Sequence, residues 1–295
     1  MENIEAPLII NLAPTGMIPT REMSLFVPIQ PDEIIKEVSI AAQLGITLTH
    51  LHARDSGGQP SCDKNIYAEM IAGIRKNHPN LVVCVSCSGR KATTFEKRSE
   101  VLNLEGDLKP DMASLTLSSL NFAKETSESS PEIIQQLALC MKERGIKPEL
   151  EIFDLGMANY AKYLLKKRIL VEPLYANVML GNVATAQPSL IEIAAIMQLL
   201  PKSTIWSVAG IGNFQLSVAA LGVAYSNGVR IGLEDNLWLD QARLHHATNL
   251  GLVERVHELA NAVNRPIMSP KMFRHLMQLP ILKTPALQQV SAAGC

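Results

Sequence analysis

Charge of one sign is the first thing this sequence lacks: 27 lysines and arginines stand against 28 aspartates and glutamates, a formal net charge of -1. With no basic or acidic excess, nothing draws the chain to nucleic acid or to an anionic membrane surface, and a small substrate is the expected partner. Long hydrophobic runs are missing too. The most apolar long window, residues 207–229, is broken by Asn213, Gln215, Asn227 and several glycines, whereas a membrane span needs about 20 consecutive apolar residues. It reads as a buried strand followed by a packed helix. The opening MENIEAP carries two acids and no apolar segment, so it has the marks of neither a secretory signal nor a transit peptide, and a cytoplasmic location is expected.

A cysteine framework is absent as well. Five cysteines, at 62, 84, 87, 140 and 295, are odd in number and scattered, which suits free thiols in a reducing compartment. Cys84 and Cys87 form a C-x-x-C within NLVVCVSCSG, but that β-branched run reads as a strand, where an odd spacing points the two sulfurs to opposite faces. No second C-x-x-C completes a zinc ribbon. Nor does a short repeat or low-complexity linker interrupt the 295 residues, so residues 1–295 are expected to form a single catalytic domain of α/β barrel size.

What the chain does have is a core and a rhythm. Apolar residues make up 47% of it. Strand-like runs recur at 7–14, 48–55, 81–88, 111–117, 148–154, 175–181, 204–210 and 229–235, with helix-period segments between them. PDEIIKEVSIAAQLG (31–45) and SPEIIQQLALCMKERG (130–145) open on Pro and acid and close on glycine, as helices do. The segment near 94–104 is a weaker helix, a long one is expected near 240–263 and a short one near 269–278. Eight strands alternating with helices predict a TIM (β/α)8 barrel, with an open doubly wound sheet as the alternative. In a barrel the chemistry lies at the C-terminal ends of the strands. Polar residues do come late in these runs, among them His50, His52, Ser86, Ser114, Glu149, Glu151, Arg230, Glu234 and Asp235.

His50 and His52 in THLHARD are two apart in a strand, so both imidazoles share one face and Leu51 turns into the wall. A His-x-His pair alone is more often hydrogen-bonded than metal-bound, but two imidazoles inside a barrel require partners. Glu234 and Asp235 at the end of the eighth run supply carboxylates, and two histidines with one carboxylate form a recurrent catalytic zinc set. Strand parity puts Arg230, Gly232 and Glu234 on one face and Asp235 on the other. Glu149 and Glu151 also share a face, where either both are held by arginine or lysine partners in the barrel core or one serves proton transfer; Glu149 reads as structural and Glu151 stays open. Gly210 and Gly212 in AGIGN fit an anion cradle or a tight turn equally well. Arg54 and Asp55 read as loop-fixing charges, and His78, His245, His246, His257 and His275 as surface or helix-packing residues.

From about residue 8 to 280 the sequence resembles the β-keto acid cleavage enzymes, whose founding type is the 3-keto-5-aminohexanoate cleavage enzyme. The resemblance is carried by APTG, HLHARD, SCSG, MASLTLSSLNF, PELEIFD, WSVAGIG and RIGLEDN in that order and spacing. It implies a TIM barrel in which His50, His52 and Glu234 hold Zn2+, and Ser86, Gly89 and Ser114 line the β-keto acid site. It further implies that Arg230 and Asp235 are catalytic, that acetyl-CoA is the second substrate, and that the subunits form a homo-oligomer. The implied reaction is a Claisen-type exchange: a 3-keto acid and acetyl-CoA give acetoacetate and an acyl-CoA. In chemical terms, zinc is a Lewis acid for the keto oxygen, and Asp235 is the base, kept ionised by metal and arginine charge. Arg230 either orients Asp235 or pairs with the substrate carboxylate.

Two positions depart from the pattern. Where the aminohexanoate enzyme has an acid for the substrate ammonium, TGMIPTRE places Ile18, which predicts a 3-keto acid with an uncharged, apolar tail. In the sixth loop, GNVATAQPS replaces a glycine-rich turn and bears on CoA docking. The competing activity is a zinc-dependent hydrolase or aldolase on the same barrel. Amidohydrolases, however, put His-x-His on the first strand and draw further histidines from the fifth and sixth, where PELEIFD and YANVMLG have none. A barrel that binds without turnover predicts no metal and no chemical step to lose.

Overall fold

The computed structural model describes residues 6–282. Eight parallel strands close into a barrel: β1 (Ile9–Leu12), β2 (Leu48–Leu51), β3 (Val82–Val85), β4 (Met112–Thr116), β5 (Lys147–Ile152), β6 (Tyr175–Leu180), β7 (Ile205–Gly210) and β8 (Gly228–Ile231). Asn11 on β1 registers with Arg230 on β8, which completes the ring. The helices that follow the strands are α1 (Pro31–Leu44), α2 (Lys64–Asn77), α3 (Phe95–Ser99), α4 (Pro131–Glu143), α5 (Leu155–Lys166), α6 (Leu190–Leu199), α7 (Gln215–Tyr225) and α8 (Asn249–Ala262). This is the expected TIM barrel. Most helices start where the sequence supplies an oxygen cap: Asp63, Thr94, Ser130, Asp154, Ser189 and Thr248 each accept a backbone N–H of the first turn.

Alternation along the strands builds two cores. Outward residues such as Ile10, Leu12, Leu51, Val83, Val85, Leu115 and Leu150 pack under the helices. Inward residues Ile9, Leu48, Val82, Cys84, Met112 and Tyr175 form an apolar floor inside the barrel. A ninth helix, α9 (Pro270–Leu276), closes that floor from below. Its Phe273 meets Tyr175 edge-on at 5.3 Å, and its Arg274 places two N–H groups on Asp111 at 2.8 and 2.7 Å. The interior is therefore apolar at one end and polar at the other.

Three expectations change. The eighth strand ends at Ile231, not at 235, because Gly232 turns the chain at φ 142; a Cβ there would lie 2.0 Å from the Ala13 carbonyl oxygen. Glu234 and Asp235 consequently sit in a turn, and strand parity does not separate them. The long helix near 240–263 shortens to Asn249–Ala262, and the weak segment near 94–104 is one turn of α3 plus a 3-10 turn at Glu100–Asn103. Gly210 is a packing glycine: its Cβ would lie 2.5 Å from the Phe214 carbonyl oxygen, so a tight turn accounts for it. Cys84 and Cys87 do face opposite cores as free thiols, whereas Cys295 lies outside the described residues. No helix among the described residues is long and apolar enough to cross a membrane.

Candidate active site

The polar end of the barrel converges on His50 and His52. His50 follows Leu48 on the inward face of β2; His52 lies one residue past the strand and keeps the same inward aim. Their Nε2 atoms stand 3.2 Å apart, and His52 Nε2 is 3.2 Å from Glu234 Oε1. Ligand atoms of His50, His52 and Glu234 all lie within 4.8 Å of one another. Glu234 Oε2 is buried without a hydrogen-bond partner among the described residues. Two imidazoles crowded nitrogen to nitrogen beside a half-satisfied carboxylate fit a divalent cation, and the donor set suits zinc with a position left for substrate. The first loop crosses over this triad with Gly16 at φ 68; a Cβ there would lie 2.5 Å from Glu234 Cγ.

Glu149 sits beneath His50 in complete burial. Its Oε2 faces His50 Nδ1 at 2.5 Å and Cys84 Sγ at 3.2 Å, while Oε1 accepts from the amides of Asn11 and Asn177 at 2.7 and 2.8 Å. Burial alone would raise this carboxyl; the adjoining His50 and more distant Arg230 reverse that and hold it at about 2. An ionised carboxylate only accepts, so neutral His50 carries its proton on Nδ1 and turns the Nε2 lone pair toward His52. Burial likewise opposes charge on His50, yet Glu149 raises its proton affinity above the ordinary value, while burial leaves His52 lowered. The sequence reading expected arginine or lysine partners for Glu149. The partners are instead an imidazole, two amides and a thiol, and the role of Glu149 in fixing His50 was missed. The shared parity of Glu149 and Glu151 with the histidine pair was the available signal.

Arg230 organises the acids. Its Nη2 is 2.7 Å from Glu234 Oε1, and its Nε and Nη2 grip Asp235 Oδ2 and Oδ1 at 3.0 and 3.2 Å. Nη1 lies 3.6 Å from Glu151 Oε1, and Glu151 Oε2 accepts from Thr116 Oγ1 at 2.5 Å. Of the two roles open to Arg230, the geometry therefore favours orienting Asp235. Burial raises the Glu234 carboxyl, but Arg230 and the histidines outweigh it and hold it well below the usual range. For Asp235 the balance reverses: burial and the charge of Glu234 push it up despite Arg230. Arg230 thus opposes, without cancelling, the burial and Glu234 charge that raise the proton affinity of Asp235.

Ser114 of β4 reaches the turn after β3 that begins with Ser86. Ser114 Oγ accepts the Cys87 N–H at 3.0 Å, and Ser86 Oγ accepts the Ser88 N–H at 3.2 Å, which leaves both hydroxyl protons to donate. Gly89 is required by packing, since a Cβ would lie 2.0 Å from the Glu128 carbonyl oxygen. Ile18 lies in the first loop, 42% exposed, where Arg54 pins the chain on either side by donating to the carbonyls of Gly16 and Pro19. Asp55 accepts two backbone N–H groups of its own turn, so both charges fix loops as expected.

Residues 7–279 match the beta-keto acid cleavage enzyme family. A 3-keto-5-aminohexanoate cleavage enzyme from Fusobacterium nucleatum is 33% identical over 273 residues, covering 92% of this chain and 98% of that protein. A 3-oxoadipate:acetyl-CoA acetyltransferase from Cupriavidus necator is 33% identical over 282 residues, covering 94% and 96%. Two solved structures of ObcA, the apo form and a ternary complex with a C4-CoA adduct and oxalate, match at TM-score 0.72 and 19% identity. They cover 87% and 86% of this chain, which spans 66% and 68% of theirs, a likeness of fold alone. By the span of the family match and the identity to these relatives, the chain belongs to the beta-keto acid cleavage enzyme family.

Proposed function

We propose that the protein exchanges the acyl part of a 3-keto acid with acetyl-CoA, giving acetoacetate and the CoA thioester of the remaining fragment. Family membership and the names of the two relatives support this class of reaction. The observation that carries it is the His50–His52–Glu234 triad set beside an aspartate whose two oxygens are held by one buried arginine. His50, His52 and Glu234 would hold Zn2+, which when bound supplies a Lewis acid for the 3-keto oxygen and so eases loss of an α-proton.

Asp235 is the base in this reading. The bidentate grip of Arg230 fixes its direction, and burial beside Glu234 raises its affinity for the proton it takes from C2. The carbanion left at C2 attacks the acetyl carbonyl of acetyl-CoA and releases CoA thiolate. That thiolate then cleaves the resulting diketone at the original keto carbon, releasing acyl-CoA and the C2 carbanion of acetoacetate, which takes back the proton held by Asp235. Ser86 and Ser114 hydroxyls and the Gly89 backbone N–H are donors for the substrate carboxylate. Ile18 lies where a charged tail would need a counter-ion, which favours an uncharged, apolar tail. The whole chain as one catalytic domain, assembled as a homo-oligomer, belongs to the same proposal. Among the described residues, β5 and β6 carry no histidine, which disfavours the hydrolase alternative.

The test combines metal analysis of the purified protein with a panel of 3-keto acids plus acetyl-CoA, read as free acetoacetate. Bound zinc with acetoacetate formed from apolar-tailed acids is the expected result. Absence of both overturns the proposal, and faster turnover of an amino-bearing acid overturns the tail assignment.

A further inference from the structure

Arg90 follows Gly89 directly, one residue beyond the SCSG turn. Three buried arginines of this barrel spend their N–H groups on the protein: Arg54 on three carbonyls, Arg98 on two carbonyls and the Ser129 hydroxyl, Arg274 on Asp111 and backbone. Arg90 differs. Its backbone N–H goes to Ser88 Oγ, but its guanidinium makes no hydrogen bond among the described residues.

The side chain is nevertheless held. The guanidinium carbon lies 3.6 Å from the centre of the Phe122 ring, and Phe122 meets Phe153 edge-on at 6.1 Å just past β5. Arg90 thus reaches from the end of β3 across the ends of β4 and β5, on the same end of the barrel as the triad. It is only 15% exposed. Glu234, Glu151 and Asp235 all act on its charge, which sets it toward the catalytic acids. Its one ion pair, Nε to Glu125 Oε1 at 3.3 Å, lacks hydrogen-bond geometry, and Glu125 is shared with Lys91 at 2.7 Å. Glu125 is thus divided between two cations and does not hold the Arg90 fork to itself. A planar fork already laid on an aromatic face loses little freedom on taking a carboxylate by two parallel N–H···O bonds.

We propose that Arg90 receives a carboxylate of the 3-keto acid and is a substrate-binding residue of this enzyme. The assignment rests on the activity proposed above. Two carboxylates have the required chemistry: the C1 group present in every 3-keto acid, and a second one at the far end of a dicarboxylic substrate.

The test uses Arg90→Met and Arg90→Lys in steady-state acetoacetate formation, varying each substrate in turn. One 3-keto acid has an apolar tail and another ends in a carboxylate. Loss of a charge-assisted pair predicts a KM for the keto acid raised about tenfold to hundredfold in Arg90→Met. A smaller rise is expected in Arg90→Lys, which keeps the charge without the fork. KM for acetyl-CoA stays within about twofold. An equal rise for both acids identifies C1, and a rise confined to the dicarboxylic acid identifies the tail group; either supports the proposal. An unchanged KM for both acids, or a rise only for acetyl-CoA, overturns it. If Arg90→Met does not fold, Phe122→Leu removes the ring beneath the fork; a smaller rise in keto acid KM supports the proposal and no change overturns it. Wild-type protein that makes no acetoacetate refutes the activity, whereas active wild type with unaltered variants refutes Arg90 alone.

Discussion

Glutamine in place of Glu149 preserves shape and exchanges one acceptor oxygen for an amide donor, and the surroundings of Glu149 make that exchange costly. All four neighbours are donors: Asn11 and Asn177 amides at 2.7 and 2.8 Å on one oxygen, His50 Nδ1 at 2.5 Å and Cys84 Sγ at 3.2 Å on the other. If the glutamine oxygen keeps the asparagines, its amide faces His50 Nδ1. That nitrogen must then accept, the proton shifts to Nε2, and the lone pair turned toward His52 and Glu234 is lost. If the oxygen keeps His50 instead, the amide confronts Asn177, whose own oxygen is engaged by the Tyr175 hydroxyl at 3.2 Å. Asn11 can rotate to help, since its Oδ1 has no partner, but Asn177 cannot. Either arrangement strands a buried donor, at about 1–3 kcal/mol. At about 1.4 kcal/mol per tenfold, zinc binding should weaken by roughly one to two orders of magnitude. The measurement is zinc titration of the metal-free variant against a chromophoric chelator, with circular dichroism to show that the fold is kept. A folded Glu149→Gln protein that binds zinc within about twofold of wild type refutes the argument.

Asp235→Asn should lower acetoacetate turnover by about 10²–10⁴ while zinc content stays at the wild-type level, because Asp235 is the base and not one of the three ligands; a variant that keeps turnover refutes the assignment. Arg274→Met removes two of the N–H groups on buried Asp111 and leaves Arg75 at 3.1 Å as its remaining ion-pair partner. It should destabilise the protein by about 3 kcal/mol in urea unfolding, and a loss below about 1 kcal/mol shows that the floor helix is not held this way. The carboxyl of Glu149 is depressed from 4.5 to about 2, so its contribution to stability is complete above about 4.5 and disappears as pH falls towards 2. The thermal midpoint of the metal-free protein should therefore drop across that interval, less steeply in Glu149→Gln, and identical slopes contradict the depression.

Much of this molecule was legible before folding was considered. Apolar runs broken at regular distances and helix boundaries marked by Pro and an acid at the start and glycine at the end are local signals, set by propensity and capping, and they sufficed for a (β/α)8 barrel. His50 and His52 were readable because a two-residue spacing keeps both side chains on one face whether or not the strand reaches the second. The same logic failed at RIGLEDN. Parity separates Glu234 from Asp235 only if the strand continues, and it ends where the Ala13 carbonyl approaches too closely for any residue but Gly232. That approach joins β1 to β8 across most of the chain, so no local pattern reports it.

The sequence by itself determined the alternation, the inward histidines and the family motifs, since each depends on residues a few positions apart. Barrel closure decided the rest. It brought Glu149 of β5 under His50 of β2, put Arg230 of β8 between three acids, and laid Arg90 of the third loop on Phe122 of the fourth. Those pairings set proton positions and charge balance through distances of a few ångströms; Glu149 and His50, for example, are 99 positions apart, and such distances exist only once the strands have met.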